Sequence, residues 1–339
     1  MKVGLLGAGR AGRMHARILA SRVEELVIAD PNDARRTQVC EELRNLPEGV
    51  STIEAESVEN LIKNTSLDAL VIVSPTNQHA EQLVEGSRLG IPMFTEKPVS
   101  TSLENTLNVR DALRKAGARV QVGFQRRFDE AYTRARQGIA SGDIGELRRV
   151  SMGTMDQAPA AREFLAASGG IYIDCLIHDF DILRWVTGRE VTEVYAMGTA
   201  LGLPDFTDFD DVCETVLSMR MEGDVLVNAQ SSRFNGQGYD VRMELHGTQH
   251  TYAVGFDEKL PLTSMETDVT YPSGEPWVDF IARFASCYER EMDAFLAAVR
   301  GEVEIAPTVE DAVESLRVAE AAKLSLRENR PVSLSEIAS

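Results

Sequence analysis

Three glycines near the start of the chain are spaced as in nucleotide-binding loops. They follow a short apolar run over residues 2–6 that predicts a buried strand, and they open a segment with helical spacing. The first glycine of a G-x-G-x-x-G loop permits a tight turn, the second lets a pyrophosphate approach the backbone, and the third lets helix and strand pack closely. The start of the helix adds N–H groups and partial positive charge. The predicted phosphate-binding residues are Gly7, Gly9, Arg10, Ala11 and Gly12.

An acidic residue follows this loop at the spacing expected for a ribose contact. Asp30 ends the next predicted strand, close to the usual offset of about 20 residues from the last glycine. Its carboxylate can accept hydrogen bonds from ribose hydroxyls and would repel a 2′-phosphate, which favours NAD over NADP. Arg35 and Arg36 keep NADP as an alternative, although a solvated helix face explains them more simply. A glycine turn beside a helix-capping aspartate, with no cofactor, is the alternative to the whole site.

Lys97 stands at the end of another predicted strand, in the sequence Glu96-Lys97-Pro98. Ligands of open parallel sheets bind outside the carboxyl ends of the strands, where the segment 74–77 also falls. Pro98 lacks an N–H group and favours an extended Lys97. A lysine beside the positive nicotinamide would have its ammonium form disfavoured, which helps it donate or exchange a proton. A surface lysine before a turn is the alternative interpretation.

Asp174 and His178 are four residues apart in a segment, 171–186, that predicts one helix. Residues i and i+4 stack on one helix face, so the carboxylate could orient the imidazole and hold it ready to accept a proton near neutral pH. Apolar neighbours such as Ile177 and Trp185 predict a largely buried helix, and the pair is expected to face a cavity. A satisfied core histidine is the alternative. No further His or Cys completes a coordination set, so we predict no metal site.

The composition excludes several classes of partner. The chain has 339 residues, with 35 Lys and Arg against 53 Asp and Glu, and a formal net charge of −18. A nucleic acid or an anionic membrane would be repelled by this charge, so we expect neither as a partner. Apolar runs fall short of the roughly 18 residues of a membrane span, no signal-peptide pattern is visible, and four scattered cysteines form no C-x-x-C motif. We therefore expect a cytoplasmic protein.

The order of predicted elements divides the chain into two domains. Strands and helices alternate up to Phe124, which predicts an α/β domain over 1–123 with a doubly wound parallel sheet. After it come two helices and then four strands in succession, and two helices end the chain. This order predicts an α+β domain over 124–339 with a mostly antiparallel or mixed sheet and helices on one face.

Together these motifs resemble the glucose–fructose oxidoreductase, inositol dehydrogenase and rhizopine-catabolism family. The resemblance rests on the GAGRAG start, the E-K-P segment and the pattern G-G-x-x-x-D-x-x-x-H-D over residues 169–179, and it covers essentially the whole chain. The segment 123–129 is similar to the G-F-x-R-R-[FY]-D motif of the inositol dehydrogenases. Gly238-Tyr239-Asp240 resembles their substrate-domain strand.

This resemblance implies a Rossmann domain and a second domain with a large open sheet that often packs against another subunit, giving a homo-oligomer such as a dimer or tetramer. It also implies hydride transfer between a sugar or cyclitol carbon and the nicotinamide of NAD. His178 would take the proton of the substrate hydroxyl, Asp174 would orient His178, and Lys97 would bind the same hydroxyl. Arg127 and Tyr239 would contact other hydroxyls.

Further site residues follow from the same resemblance. Asp156 and Gln157 stand where the family varies its contacts to hydroxyls, and Cys175 replaces the threonine or other small residue beside the aspartate. These departures weaken an assignment to myo-inositol, which is nevertheless the best single substrate, with scyllo-inositol, an aldose or a sugar acid as alternatives. A non-catalytic NAD-binding sensor is a second alternative. The residues expected to line the nicotinamide side are Ser74, Thr76, Asn77, His79 and Glu96.

Overall fold

The chain divides into two units. The computed structural model describes residues 1–47, 50–55, 57–64, 66–269 and 274–339. The first unit contains Met1–Gln125 and Ser286–Val313, and the second contains Arg126–Ala285 and Glu314–Ser339. The change of sequence pattern at Phe124 does not predict that Ser286–Val313 belongs to the first unit.

The first unit is built on one parallel sheet. Its strands lie in the order β3-β2-β1-β4-β5-β6, and every neighbouring pair is parallel. This order confirms the predicted doubly wound sheet, and it reverses between β1 and β4, where such sheets bind ligands at their carboxyl ends. The strands are β1 (Lys2–Leu6), β2 (Glu25–Ala29), β3 (Ser51–Ala55), β4 (Ala69–Ile72), β5 (Met93–Glu96) and β6 (Val120–Gly123).

Helices connect these strands, and their apolar sides bury the sheet. Leu19 of the first helix and Val39 of the second pack with the strand residues Leu5 and Ile28, and all four are at most 1% exposed. Met292, Phe295 and Leu296 from the C-terminal segment belong to the same core. This burial attaches the C-terminal segment to the first unit, since apolar contact is the main stabilising contribution. The helices are α1 (Arg10–Ala20), α2 (Asp33–Arg44), α3 (Val58–Asn64), α4 (Thr76–Gly86) and α5 (Leu103–Ala116).

The second unit contains a seven-stranded sheet in the order β12-β11-β7-β10-β9-β8-β13. All neighbours are antiparallel except β7 and β10, which are parallel, so the predicted mostly antiparallel sheet is confirmed. Burial alternates along β9 and β10, because one face of the sheet is packed and the other is open. The strands are β7 (Leu147–Met155), β8 (Val191–Thr199), β9 (Glu214–Met221), β10 (Val225–Ser232), β11 (Asp240–Gly247), β12 (Thr251–Val254) and β13 (Val332–Ser333).

The predicted helix over 171–186 is wrong in one respect that concerns the site. It is two helices, one ending at Asp174 and the next beginning at Ile177. The N–H groups of Cys175 and Leu176 both donate to the carbonyl of Ile171, which interrupts the regular i to i−4 ladder. Asp174 and His178 therefore do not stack on one continuous helix. The helices after β6 are α6 (Glu130–Ala140), α7 (Arg162–Leu165), α8 (Ile171–Asp174), α9 (Ile177–Thr187), α10 (Pro204–Thr207), α11 (Phe280–Val299) and α12 (Val309–Glu328).

Candidate active site

The three loop glycines each meet a different steric requirement. Gly7 has φ of +103°, and a Cβ there would lie 2.7 Å from the backbone N of Ser74. A Cβ on Gly12 would lie 2.0 Å from the carbonyl oxygen of Gly7. A Cβ on Gly9, in contrast, would meet no described atom within 4 Å. Gly7 and Gly12 thus close the turn against its own backbone, whereas Gly9 leaves open space where a pyrophosphate would approach.

Asp30 holds the glycine loop from the end of β2. Its Oδ2 accepts the N–H of Ala8 at 2.7 Å, its Oδ1 accepts the N–H of Asn32 at 2.8 Å, and the residue is 7% exposed. A carboxylate oxygen has a second lone pair, so both oxygens can still accept a ribose hydroxyl. The neighbouring Arg36 is also buried: its Nη1 donates to the carbonyl of Asp30 at 3.0 Å and pairs with Asp33 at 2.9 Å. The loop and the end of β2 therefore fit the adenosine half of a dinucleotide.

His79 joins the loops that follow β4 and β5. Its Nδ1 lies 2.9 Å from the carbonyl oxygen of Pro98 and its Nε2 lies 2.8 Å from that of Ser74, and the ring is 1% exposed. The hydroxyl of Ser74 donates to Gln82 at 2.6 Å. Both nitrogens of the His79 ring are thus engaged in supporting the edge where Thr76 and Asn77 begin α4.

Glu96 ends β5 and Lys97 follows it, and both are half-buried. Glu96 Oε1 lies 2.7 Å from Nε2 of His15, a fully buried residue of α1 that packs between the rings of Phe94 and Tyr288. His15 is a residue that the sequence analysis does not name. Its position three residues after Gly12, on the buried side of α1, is the signal that could have found it.

In the second unit the carboxylate of Asp174 is held by an arginine. Arg233 Nη1 lies 2.7 Å from Asp174 Oδ2, 3.3 Å from Asp156 Oδ2 and 2.9 Å from Cys175 Sγ. The side chain of Arg233 is 1% exposed, against 16% for Asp174 and 27% for Asp156. Burial raises the pKa of Asp156, Arg233 opposes that rise, and the charge of Asp174 adds to it. Asp156, Asp174 and the thiol of Cys175 therefore form one polar cluster around Arg233.

Sequence analysis does not name Arg233, although the signal is present. Along β10 the buried residues alternate as Val225, Val227, Ala229 and Ser231, so period two places residue 233 on the same buried face. A buried arginine requires a compensating partner, which points to a nearby carboxylate.

His178 lies half-buried in the first turn of α9, beside a fully buried aspartate. Asp179 pairs with Arg126 Nη1 at 3.2 Å and accepts the hydroxyl of Thr154 at 2.7 Å. Burial raises the pKa of Asp179, and Arg126 opposes the rise. This buried pair anchors the start of α9 to β7 and so fixes the backbone that carries His178.

The remaining predicted contacts of the second unit occupy three different environments. Arg127 donates to both carboxylate oxygens of Asp181, at 2.8 and 2.6 Å. Tyr239 is 5% exposed, and burial raises the pKa of its phenol. Gln157 is exposed. Arg127 is therefore already oriented by a buried carboxylate.

The described residues contain neither a metal-binding cluster nor a membrane-spanning helix. Among these residues there is no group of three or more His, Cys, Asp and Glu that could hold a metal ion. Within the same ranges, every helix is too short or too polar to cross a lipid bilayer.

Comparison with known proteins identifies the family. A family model described as "Oxidoreductase family, NAD-binding Rossmann fold" matches residues 1–124, and the C-terminal alpha/beta domain of the same family matches residues 136–334. The scyllo-inositol 2-dehydrogenase (NAD(+)) of Bacillus subtilis is 32% identical, over 98% of this chain and 96% of its own length. The myo-inositol 2-dehydrogenase of Thermotoga maritima is 30% identical over 99% of both chains.

Solved structures agree with these matches. The myo-inositol dehydrogenase of Corynebacterium glutamicum has a TM-score of 0.88 at 28% identity, over 98% of both chains. The scyllo-inositol dehydrogenase of Lactobacillus casei, solved with NAD(H) and scyllo-inositol, has a TM-score of 0.84 at 25% identity, over 99% of both chains. The family predicted from the motifs is confirmed: the chain belongs to the glucose–fructose oxidoreductase, inositol dehydrogenase and rhizopine-catabolism (Gfo/Idh/MocA) family of oxidoreductases.

Proposed function

We propose that this oxidoreductase uses NAD to oxidise a ring hydroxyl of a cyclic polyol, and that its best substrate is myo-inositol, converted to 2-keto-myo-inositol. The observation that carries the proposal is that each unit contains groups that this chemistry needs. The first unit has an open cradle at Gly9 beside Asp30, and the second has half-buried His178 and Asp174. The relatives named for myo- and scyllo-inositol support a cyclitol.

The choice of NAD over NADP follows from the end of β2. Asp30 presents a carboxylate where a 2′-phosphate would sit, and like charges repel. Arg36 is bound to the backbone of Asp30 and to Asp33, so its guanidinium is already engaged. Arg35 is exposed. These contacts favour the ribose hydroxyls of NAD over the 2′-phosphate of NADP.

When bound, NAD supplies the hydride acceptor for the carbinol carbon. His178 accepts the proton of the reacting hydroxyl, because an imidazole titrates near neutral pH. Asp174 orients the imidazole and stabilises its charged form, and Lys97 binds the same hydroxyl. Arg127, Asp156, Gln157, Cys175 and Tyr239 are the proposed contacts to other ring hydroxyls. Ser74, Thr76, Asn77, His79 and Glu96 are the proposed residues on the nicotinamide side.

The proposal is tested by following NADH formation with a panel of substrates. The panel contains myo-inositol, scyllo-inositol, aldoses and sugar acids at millimolar concentration, each with NAD and with NADP. We expect the highest kcat/KM with myo-inositol and NAD. A preference for scyllo-inositol or for an aldose would keep the reaction type and change the substrate. A chain that binds NADH but oxidises none of these compounds would instead be a cofactor-binding sensor.

We also propose a homo-oligomer, a dimer or tetramer, that buries the open face of the second unit's sheet. Met197, Val216 and Leu226 on this sheet are 56%, 50% and 53% exposed, which is unusual for three large apolar side chains on one sheet. Light scattering coupled to gel filtration measures the subunit count. A monomer at micromolar concentration would contradict this proposal.

A further inference from the structure

Arg233 stands at the centre of the carboxylates that the proposed reaction needs. We propose that Arg233 is a positioning residue of this dehydrogenase, which keeps Asp174 and Asp156 together as two ionised carboxylates and aims Asp174. This inference rests on the proposed function for its catalytic consequence. The contacts themselves lie entirely within the second unit.

The sheet brings these residues together through its one parallel pair of strands. β7 and β10 run side by side with Met155 opposite Ser232, so the next residues, Asp156 and Arg233, are neighbours at the same edge. The N–H of Asp156 donates to the carbonyl of Ser232 at 2.9 Å, and the N–H of Arg233 donates to the carbonyl of Cys213 at 2.8 Å. Both backbones are therefore fixed before their side chains meet.

One nitrogen of the Arg233 guanidinium makes all of its contacts with the cluster. Nη1 of Arg233 contacts Asp174, Asp156 and Cys175, while its Nε and Nη2 are buried and form no hydrogen bond with the described residues. A buried guanidinium loses its hydration, and here the two carboxylates offset that cost. The short 2.7 Å contact to Asp174 is charge-assisted, a strong and directional kind of hydrogen bond.

The electrostatic role follows from the two neighbouring negative charges. Without a cation between them, one of two close carboxylates takes up a proton, as in an aspartic dyad. A protonated Asp174 could no longer stabilise a charged imidazole on His178. Other titratable groups facing the cluster are the thiol of Cys175 on the loop after α8 and the phenol of Tyr239 before β11. The Asp179–Arg126 pair acts on that phenol as well.

The experiment measures kcat/KM against pH for Arg233→Met and Arg233→Lys. Arg233→Met should lose about 100-fold or more in kcat/KM at pH 7, as expected for a misplaced catalytic group. The acidic limb of its pH profile, where kcat/KM rises with pH, should move upward by about one pH unit or more, because two unpaired carboxylates hold a proton to higher pH. Its kcat/KM should therefore recover in part at pH 9. Arg233→Lys keeps the charge, so its acidic limb should stay near the wild-type position. Its kcat/KM should fall about tenfold, since a lysine carries its charge on a flexible ammonium that does not hold Asp174 where Nη1 of Arg233 holds it.

Arg184→Lys is the matched control. Arg184 is a similarly buried arginine of the second unit, paired with Glu190 at 2.5 and 2.8 Å. It should leave the acidic limb unchanged. An Arg233→Met enzyme with a wild-type acidic limb overturns the proposal, however much its stability falls. If Arg233→Met does not fold, a wild-type kcat/KM in Arg233→Lys overturns it instead.

A crystal structure separates this inference from the proposed function. If the wild type oxidises no polyol or sugar, the proposed function fails, and the kinetic comparison cannot be made. The structure of Arg233→Met, or of Arg233→Lys if the former does not fold, still tests the positioning. We expect the Asp174 carboxylate to move by about 1 Å or more, a displacement that matters for catalysis. An unmoved Asp174 contradicts the role of Arg233 in both cases.

Discussion

His15 Nε2 lies 2.7 Å from Glu96 Oε1, which links the buried side of the first helix to the residue that precedes Lys97. His15 is fully buried, whereas the side chain of Glu96 is 16% exposed. The first helix and the end of β5 are therefore joined by a side-chain hydrogen bond. This bond gives the first helix a second role beside presenting its N-terminus to phosphates.

Replacing His15 by alanine should weaken both stability and turnover. The change removes the partner of Glu96 and leaves a cavity beside Phe94 and Tyr288, which together cost about 2–4 kcal/mol of unfolding free energy. We expect kcat to fall about tenfold, because the end of β5 that precedes Lys97 would be displaced. Urea unfolding and NADH formation measure the two effects. His250→Ala, at an exposed histidine, is the control, and equal effects from the two variants would contradict this role.

Lys97→Ala should abolish turnover while NADH binding stays nearly intact. The proposed role of the ammonium is to bind the reacting hydroxyl, and loss of such a group typically costs about 10²- to 10⁴-fold in kcat. NADH fluorescence titration measures cofactor binding separately from turnover. Lys115→Ala, at an exposed lysine of the same unit, is the matched control. If Lys97→Ala retains a tenth or more of the activity, another group binds the hydroxyl.

Gly9→Ala and Gly12→Ala should separate cofactor binding from stability. A Cβ on Gly12 would lie 2.0 Å from the Gly7 carbonyl, so Gly12→Ala should unfold at clearly lower denaturant concentration. A Cβ on Gly9 points into open space among the described residues, so Gly9→Ala should keep its stability. Its Kd for NADH should nevertheless rise about tenfold or more, because the methyl group blocks the pyrophosphate. Wild-type NADH affinity in Gly9→Ala would contradict the predicted path of the phosphates.

Sequence patterns predict the local features of this protein better than its tertiary pairings. Apolar runs and glycines are enough to predict the parallel sheet, because strands that are each followed by a loop and a helix can be connected in only a few ways. The break between α8 and α9 is invisible in the sequence, since the apolar spacing over 171–186 continues through it. It changes how Asp174 is held: the carboxylate is bound by Arg233, 59 residues further along the chain. The parallel register of β7 and β10, which places Arg233 beside Asp156, is likewise not visible in the sequence.

For a similar reason, the sequence does not show that the chain returns to the first unit. α11 shows helical apolar spacing along its whole length, and its residues Met292, Phe295 and Leu296 join the core of β1 and β2. Amphipathic spacing states that a helix buries one face, but not which surface it covers. The boundary between domains therefore cannot be read from the change of pattern at Phe124 alone.

Asp156→Asn should change how the stability of the protein depends on pH, and it should impair substrate binding. Burial raises the pKa of Asp156 above its unfolded value, so the folded state binds more protons than the unfolded state between these two pKa values. Wild-type stability therefore falls as pH rises through that window, and a neutral asparagine avoids the loss. Thermal unfolding from pH 3.5 to pH 8 should show the Tm difference, Asp156→Asn minus wild type, growing with pH and then levelling off.

The same comparison should show a higher KM in the variant, because an amide in place of the carboxylate changes a proposed contact to a ring hydroxyl. Asp210→Asn, at an exposed aspartate of the same unit, should shift neither the Tm difference nor KM. A Tm difference that is constant from pH 3.5 to pH 8 would show that Asp156 has an ordinary pKa in the folded state. The two carboxylates around Arg233 would then be less closely coupled than their distances to Nη1 imply. A desolvated carboxylate beside a second negative charge must titrate above its unfolded pKa, unless the positive charge of Arg233 fully offsets both effects.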